Sequence, residues 1–390
     1  MTAGSRRLRL AAGVVVAIAI ATAAALALLW PPADEDRPQL AAGLTGQTDQ
    51  AEVLSVTEAG CPPPQPGTCT SVAIRLDSGP DEGEDTTLPL GGAAGPAVDL
   101  EVGDTIRVQA APVGGGQSVY TFVDYERRGP LLWLAIAFAL LVLLFARLRG
   151  ALSLVGLALS LAILLGFIVP SILGGEEPLA VAVAGALAVM LTTIPLAHGL
   201  GAKSVAAMLG TTVSLLLTAG LALAFTELTN LTGYSFEEAV LLQQNGIDIS
   251  FQGLLLAGMV VGALGVLDDV TVSQASTVFA LRAAAPAQQL GELFGRAMKV
   301  GRDHVSATVN TLVLAYAGAA LPVLLIFGSS DVSLSGVINL EVVSREVVAM
   351  LVGSIGLIAA VPITTGLAAW LAQDLSEAQA EAAAEHGHTH

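Results

Sequence analysis

Basic residues are few in this chain. Lys and Arg number 16 against 33 Asp and Glu, a formal net charge of −17, and charged residues of both signs make up only 13% of 390 residues. That acidic balance argues against nucleic acid as a partner, because phosphate contacts need a basic face, and against binding anionic lipid through the acidic segments. A solubilising acidic surface accounts for it, with attraction of cations or a basic partner as the other reading. Cysteine is nearly absent: Cys61 and Cys69 are the only two. Their separation is too short and the ligands too few for zinc, so no metal site is expected. A glycine fingerprint for phosphate, a Walker motif and a Ser-His-Asp spacing are also missing, which leaves ATP-driven transport by this chain unsupported and no cofactor to expect.

Apolar residues fill the space, at 54% of the chain, more than a soluble domain of this length can bury. The fold class is therefore mainly α transmembrane, a bundle of about eight helices at roughly 20 residues per crossing. Apolar runs at Leu8–Trp30, Pro130–Ala146, Ala151–Leu173, Leu179–Ala197, Val205–Thr226, Phe251 to about Leu281, His304–Phe327 and Val347–Leu371 supply the spans. The first is too long for a signal-peptide core and follows Arg6, Arg7 and Arg9, so it reads as an anchor with its N-terminus inside. Arg147, Arg149, Lys203, Arg282, Arg296, Lys299 and Arg302 then fall on the cytoplasmic side, with Arg127, Arg128 and Arg345 dissenting. Four regions follow: an anchor over 1–30, an extracytoplasmic β domain over 31–129, seven helices over 130–372, and a cytoplasmic acidic and His-bearing tail over 373–390. The bilayer is the first partner this predicts.

Residues 31–129 differ from the rest. AEVLSV, TSVAIRLD, VDLEVGDTIRVQA and SVYTFVDY alternate apolar and polar residues between Gly, Pro and Asp clusters, and so predict short antiparallel strands in a small barrel or sandwich. Cys61 and Cys69 flank the Pro-rich turn CPPPQPGTC, where a disulfide suits an oxidising compartment. Two further helices are expected: SFEEAVLLQQ at an interface, and an amphipathic segment within Arg282–Asp303, with Leu290, Leu293, Phe294, Ala297 and Met298 on one face, lying on the inner leaflet. His386, His388 and His390 read as part of a tail.

One interruption carries the functional argument. Asp268 and Asp269 follow FQGLLLAGMVVGALGVL, and VTVSQASTVFAL continues the same run. A charge in a membrane helix costs roughly 2.5 to 3.5 kcal/mol on insertion scales, so such a residue is a functional candidate by default. Depth decides between readings: a helix continuing to Leu281 puts the pair near its centre, whereas one ending near Asp269 leaves it at the interface. Neighbouring helix positions point about 100° apart, so the two carboxylates face differently. Asp269 shares a face with Ser273 and Ser276, which makes it the better ion ligand. In the next span Asp303, Ser306 and Asn310 share one face, and His304, Thr308 and Thr311 a neighbouring one. Asp269, Asp268, Ser273, Asn310, Thr308 and Asp303 form the expected ion-binding set; Asn310 also reads as a helix-to-helix hydrogen bond. Pro195, Pro322 and Pro362 are expected kinks within spans.

GALGVLDDVTVSQASTV, followed by GRDHVSATVNTLVLAYAGAALPVLLIF, resembles the two best-marked segments of the YibE/F family of bacterial multi-pass membrane proteins. The likeness runs from the second span to the C-terminus, and the anchor plus β region also fits that family's layout. The resemblance implies an architecture and a plasma-membrane location, and no particular reaction. The family's segment has one Asp preceded by an apolar residue, which matches Asp269; Asp268 departs from it. The leading expectation is a transporter or permease with a cation- or proton-coupled acidic site, moving a small solute or cation. The rival is a non-transporting adaptor whose outer domain binds an envelope component or partner protein. A protease using two aspartates on facing helices is a weaker third.

Overall fold

The computed structural model describes residues 6–31, 48–60, 68–91, 98–113, 117–235, 237–244, 249–329 and 333–373. The Cys61 end of the expected disulfide and the histidines of the tail lie outside them. The chain divides into two compact units, one of residues 40–144 and one of residues 1–39 with 145–390.

The smaller unit holds one antiparallel sheet of β1 (Thr48–Gly60), β2 (Thr68–Leu76), β3 (Asp85–Gly91), β4 (Thr105–Val113) and β5 (Gln117–Tyr125), in the order β3-β2-β1-β4-β5. Alternation sets its inner face: Ala51 and Val53, Val72 with Ile74 and Leu76, Leu88 and Leu90, Ile106 and Val108 are all buried in one core with Leu100 and Tyr120. The sheet curls into a half-barrel in which β3 approaches β5. The four alternating runs became β1, β2, β4 and β5. The fifth strand, β3, has Pro89 inside it and an acidic loop before it, so it reads as loop; Pro is tolerated there because β3 is an edge. Tyr120 closes the acidic loop by donating to Asp81 at 2.6 Å.

The helices are α1 (Arg6–Leu28), α2 (Arg128–Ile163), a π-helical turn (Leu164–Ile168), α3 (Val169–Leu173), α4 (Pro178–His198), α5 (Ala202–Leu228), α6 (Glu237–Gln244), α7 (Phe251–Ala284), α8 (Leu290–Ala319), α9 (Leu321–Gly328), α10 (Leu334–Ile338) and α11 (Glu341–Ala372). Among the described residues six helical stretches are long and apolar enough to cross a membrane, or seven if α8 and α9, bent by 63°, form one broken span. The difference from eight lies in α2, where the two expected spans join in one 46-residue stretch, Arg128–Leu173. Its backbone breaks at Arg147 (φ 49, ψ −126), at the point where the sequence places a turn. The α8–α9 bend falls at Pro322, whose ring cannot continue the helix above it. The amphipathic segment before the seventh expected span is not a separate helix. It is the first half of α8, and of its apolar face Leu293 and Ala297 are fully buried against other helices, Phe294 and Met298 are half-buried and Leu290 is exposed.

Within the larger unit α7 is the central helix, packed on α4, α5, α8 and α11. Small residues make this possible. A Cβ on Gly210 of α5 would stand 2.1 Å from the Thr364 hydroxyl of α11, and one on Gly356 of α11 would stand 2.0 Å from the Thr218 hydroxyl of α5. The two contacts are reciprocal and run in opposite directions along the helices, which therefore lie antiparallel and close. Polar bonds lock the same region. Thr211 and Thr271 meet at 2.6 Å, and buried Gln274 donates to the Ala297 carbonyl at 3.1 Å and to Thr365 at 2.7 Å.

The two ends of this unit differ in charge. At one end Arg7 donates to the Trp370 carbonyl at 3.1 Å with its guanidinium over the indole, Arg282 donates to the Gln288 carbonyl at 2.9 Å, and Lys203 opens α5. At the other, Glu341 accepts from the Thr232 and Gly233 backbone N–H groups at 2.8 and 2.6 Å, and Glu177 caps the start of α4.

Candidate functional site

α7 does continue past the aspartates. Asp268 and Asp269 sit about 26 Å from its Phe251 end and about 24 Å from its Ala284 end, at 1.5 Å per residue. The helix runs through both residues without a break. Asp269 is exposed, whereas Asp268 is half-buried.

Asp268 faces Thr193 of α4. Its Oδ2 lies 3.5 Å from the Thr193 hydroxyl, whose single proton is already given to the Val189 carbonyl at 2.9 Å. That contact is thus weak at best geometry. The other oxygen, Oδ1, is buried and has no hydrogen-bond partner in the protein. A buried polar atom left unpaired is uncommon and costly, so it calls for an explanation.

Two cavities meet at this carboxyl. One, about 450 Å³, is lined by Ser153, Ser160, Thr193, His198, Asp268 and Asp269 among others. The other, about 260 Å³, is walled mainly by hydrocarbon, including Leu161, Leu164, Val189, Val261 and Leu264, and shares Ser160, Thr193, Gly265 and Asp268 with the first. The apolar cavity abuts the π-helical turn, through Leu164 and Ile168. Such turns insert an extra residue into a helix and recur at functional sites. On α4, Thr193 lies about 22 Å from the Pro178 end and about 8 Å from the His198 end, so the site is nearer the end that carries Lys203 and Arg282.

The expected set is only partly assembled. Asp268 and Asp269 share the polar cavity. Ser273 is one turn away and lies 3.5 Å from His304 Nδ1, with its hydroxyl proton given to the Val270 carbonyl at 3.0 Å. Thr308 is half-buried and donates to the His304 carbonyl at 2.9 Å. Asp303 and Asn310 lie on the exposed face of α8 and line neither cavity. Thr193, His198, Ser153 and Ser160 were not legible as site residues. The signal that exists is TTIPLAH, where two hydroxyls and a histidine close an otherwise apolar run. Among the described residues no group of three or more His, Cys, Asp or Glu is placed to hold a metal ion.

The polar central helix, its aspartate pair and the helices around it fall within residues 134–374, which match the model of the YibE/F-like proteins. The chain belongs to the YibE/F family. The match covers more than half of the chain and takes in nearly all of the seven-helix region expected over 130–372, from within α2 to the end of α11. It does not reach α1 or the sheet. No curated protein and no solved structure matches the chain.

Proposed function

We propose that this YibE/F protein is a plasma-membrane transporter or permease in which Asp268 and Asp269 bind a coupling cation or proton. One observation carries the reading: an intramembrane carboxyl with a buried, unpaired oxygen stands where a polar cavity meets an apolar one. Gln274 and Thr271 on the same helix are, by contrast, both hydrogen-bonded to neighbouring helices.

The orientation that fits best puts the end bearing Arg7, Lys203 and Arg282 in the cytoplasm, following the bias of basic residues to that side. Both chain termini are then cytoplasmic, because Arg7 of the first helix touches Trp370 of the last, and the sheet is extracytoplasmic. In this orientation the polar cavity lies toward the cytoplasm and the apolar cavity toward the membrane interior.

The test is reconstitution of the full chain into vesicles that carry a pH-sensitive dye, challenged with imposed pH, Na⁺ or K⁺ gradients. The expected result is a dye response absent from empty vesicles and lost in Asp268→Asn or Asp269→Asn. A response equal to that of empty vesicles, or one unchanged in both variants, overturns the reading.

A further inference from the structure

We infer that the ion this site takes is the proton, and that Asp268 rather than Asp269 carries it. The inference rests on the reading of the site as ion-binding and assigns its chemistry. It also departs from the family pattern, in which the aspartate at position 269 is the expected one.

Coordination chemistry is the first reason. Hard metal cations take six or more oxygen ligands at 2.0 to 2.6 Å, as known for Mg²⁺ and Ca²⁺. The side-chain oxygens that share the polar cavity with Asp268 are those of Ser153, Ser160, Thr193 and Asp269, fewer than such a shell takes. The rest of the surround is hydrocarbon from Leu161, Leu164, Val261 and Leu264. On that side a metal ion finds no ligand, and its shell would rest on the few oxygens and the water of the polar cavity. A proton needs one oxygen, and Oδ1 is one that no protein group hydrogen-bonds.

Access is the second reason. The polar cavity is large enough for several waters, each taking about 30 Å³ of liquid volume, and its hydroxyls and carboxylates can bridge them. Asp268, Asp269 and His198 all line it. The ionisable groups facing Asp268 there are Asp269 on its own helix and His198 on α4, and Lys203 and Arg149 are the cations whose fields reach His198. Ser153 and Ser160 of α2 and Thr193 of α4 add hydroxyls and no charge. Exposed Asp269 exchanges protons with water at the cavity wall, and Asp268 is where the hydrated route ends against the apolar cavity. The step is a simple transfer: a proton leaves a cavity water, Asp269 or His198, and an O–H bond forms at the Asp268 carboxylate, with no redox partner.

Dicyclohexylcarbodiimide tests this, because it is apolar and adds only to a protonated carboxyl group, leaving a covalent acylurea that tandem mass spectrometry assigns to one residue. With the full chain in lipid vesicles, the label is expected on Asp268, to fall as pH rises, and to be unchanged by Na⁺, K⁺ or Mg²⁺ at fixed pH. It is lost in Asp268→Asn, kept in Asp269→Asn and kept in Asp268→Glu, which guards against a variant that fails to fold. Label on Asp269 alone, no label at either residue, or protection by any of the three metal ions overturns the assignment. The outcome separates from that of the transport reading: label at Asp268 without a gradient-driven dye response keeps the proton site and removes transport, and a response without the label does the reverse.

Discussion

Replacing Gly356 by alanine asks whether α5 and α11 approach as closely as the packing implies. The new Cβ would stand 2.0 Å from the Thr218 hydroxyl, 3.2 Å from its Cβ and 3.4 Å from its Cγ2. Rotating Thr218 away does not relieve this freely, because its hydroxyl donates to the Ser214 carbonyl at 2.7 Å and would lose that bond. Overpacking of this kind costs about 1 to 3 kcal/mol, and the upper half of that range is expected here. Gly210→Ala makes the reciprocal clash with Thr364, whose hydroxyl is buried without a partner and turns without breaking a bond. Its cost should therefore be smaller by about one net hydrogen bond, roughly 1 kcal/mol. Unfolding in mixed micelles, followed through Trp370 with Trp30 and Trp133 replaced by Phe, gives both values. Adding Thr218→Ala should rescue Gly356→Ala, and adding Thr364→Ala should not, since the two contacts are separate. A Gly356→Ala cost within 0.5 kcal/mol of zero, the usual scatter of surface substitutions, or equal rescue by both threonine changes, would refute the close antiparallel packing.

Three further outcomes are expected. Single cysteines along α7, in a chain lacking Cys61 and Cys69, should react with a water-soluble thiol reagent at positions 265, 268, 269 and 272, which line the polar cavity, and not at buried 270, 271, 274 and 275; uniform reactivity past 269 would mean that the helix has left the bilayer. Gly233→Ala should be among the most damaging single changes in the chain, because φ is +80° there and a Cβ would meet the Phe251 carbonyl at 2.3 Å, so a melting temperature equal to wild type would contradict the loop that Glu341 holds. In the sheet unit, hydrogen bonds from the Arg128 guanidinium and backbone N–H hold the Glu126 carboxyl down at about 2. Its stabilisation is complete above the unfolded value of about 4.3 and is lost as pH falls through about 2. Glu126→Gln should therefore flatten the pH dependence of β5 hydrogen exchange, corrected for intrinsic rates, over that window.

The tertiary structure changed the reading most at the aspartate pair. From the helix face alone, Asp269 gathers the hydroxyls of Ser273 and Ser276, and it is the better candidate. Packing adds what the face alone does not show: Thr193 of α4 and Ser160 of α2 line both cavities with Asp268, and Asp269 lines the polar one. The same limit applies to Asn310 and Asp303: periodicity shows that they share a face of α8 and gives no means to tell whether that face meets α7 or points away. The expectation that Asn310 pairs across helices lost its support for the same reason, since it is exposed.

Apolar run lengths and alternation were enough by themselves to determine that this is a helical membrane protein with a small β unit after its first helix, because bilayer thickness and the pleat of a strand impose those periods on any sequence. The family followed from two long motifs in the helical region. Run length was also enough to mark the break at Arg147, and the charge of Asp268 and Asp269 to mark their helix. Only the tertiary structure decided which carboxyl faces inward, that the amphipathic start of α8 packs on protein, and that His198 and Thr193 join the site. Those are contacts between residues far apart in the chain, and a periodic pattern carries the direction of a face but not what stands opposite it.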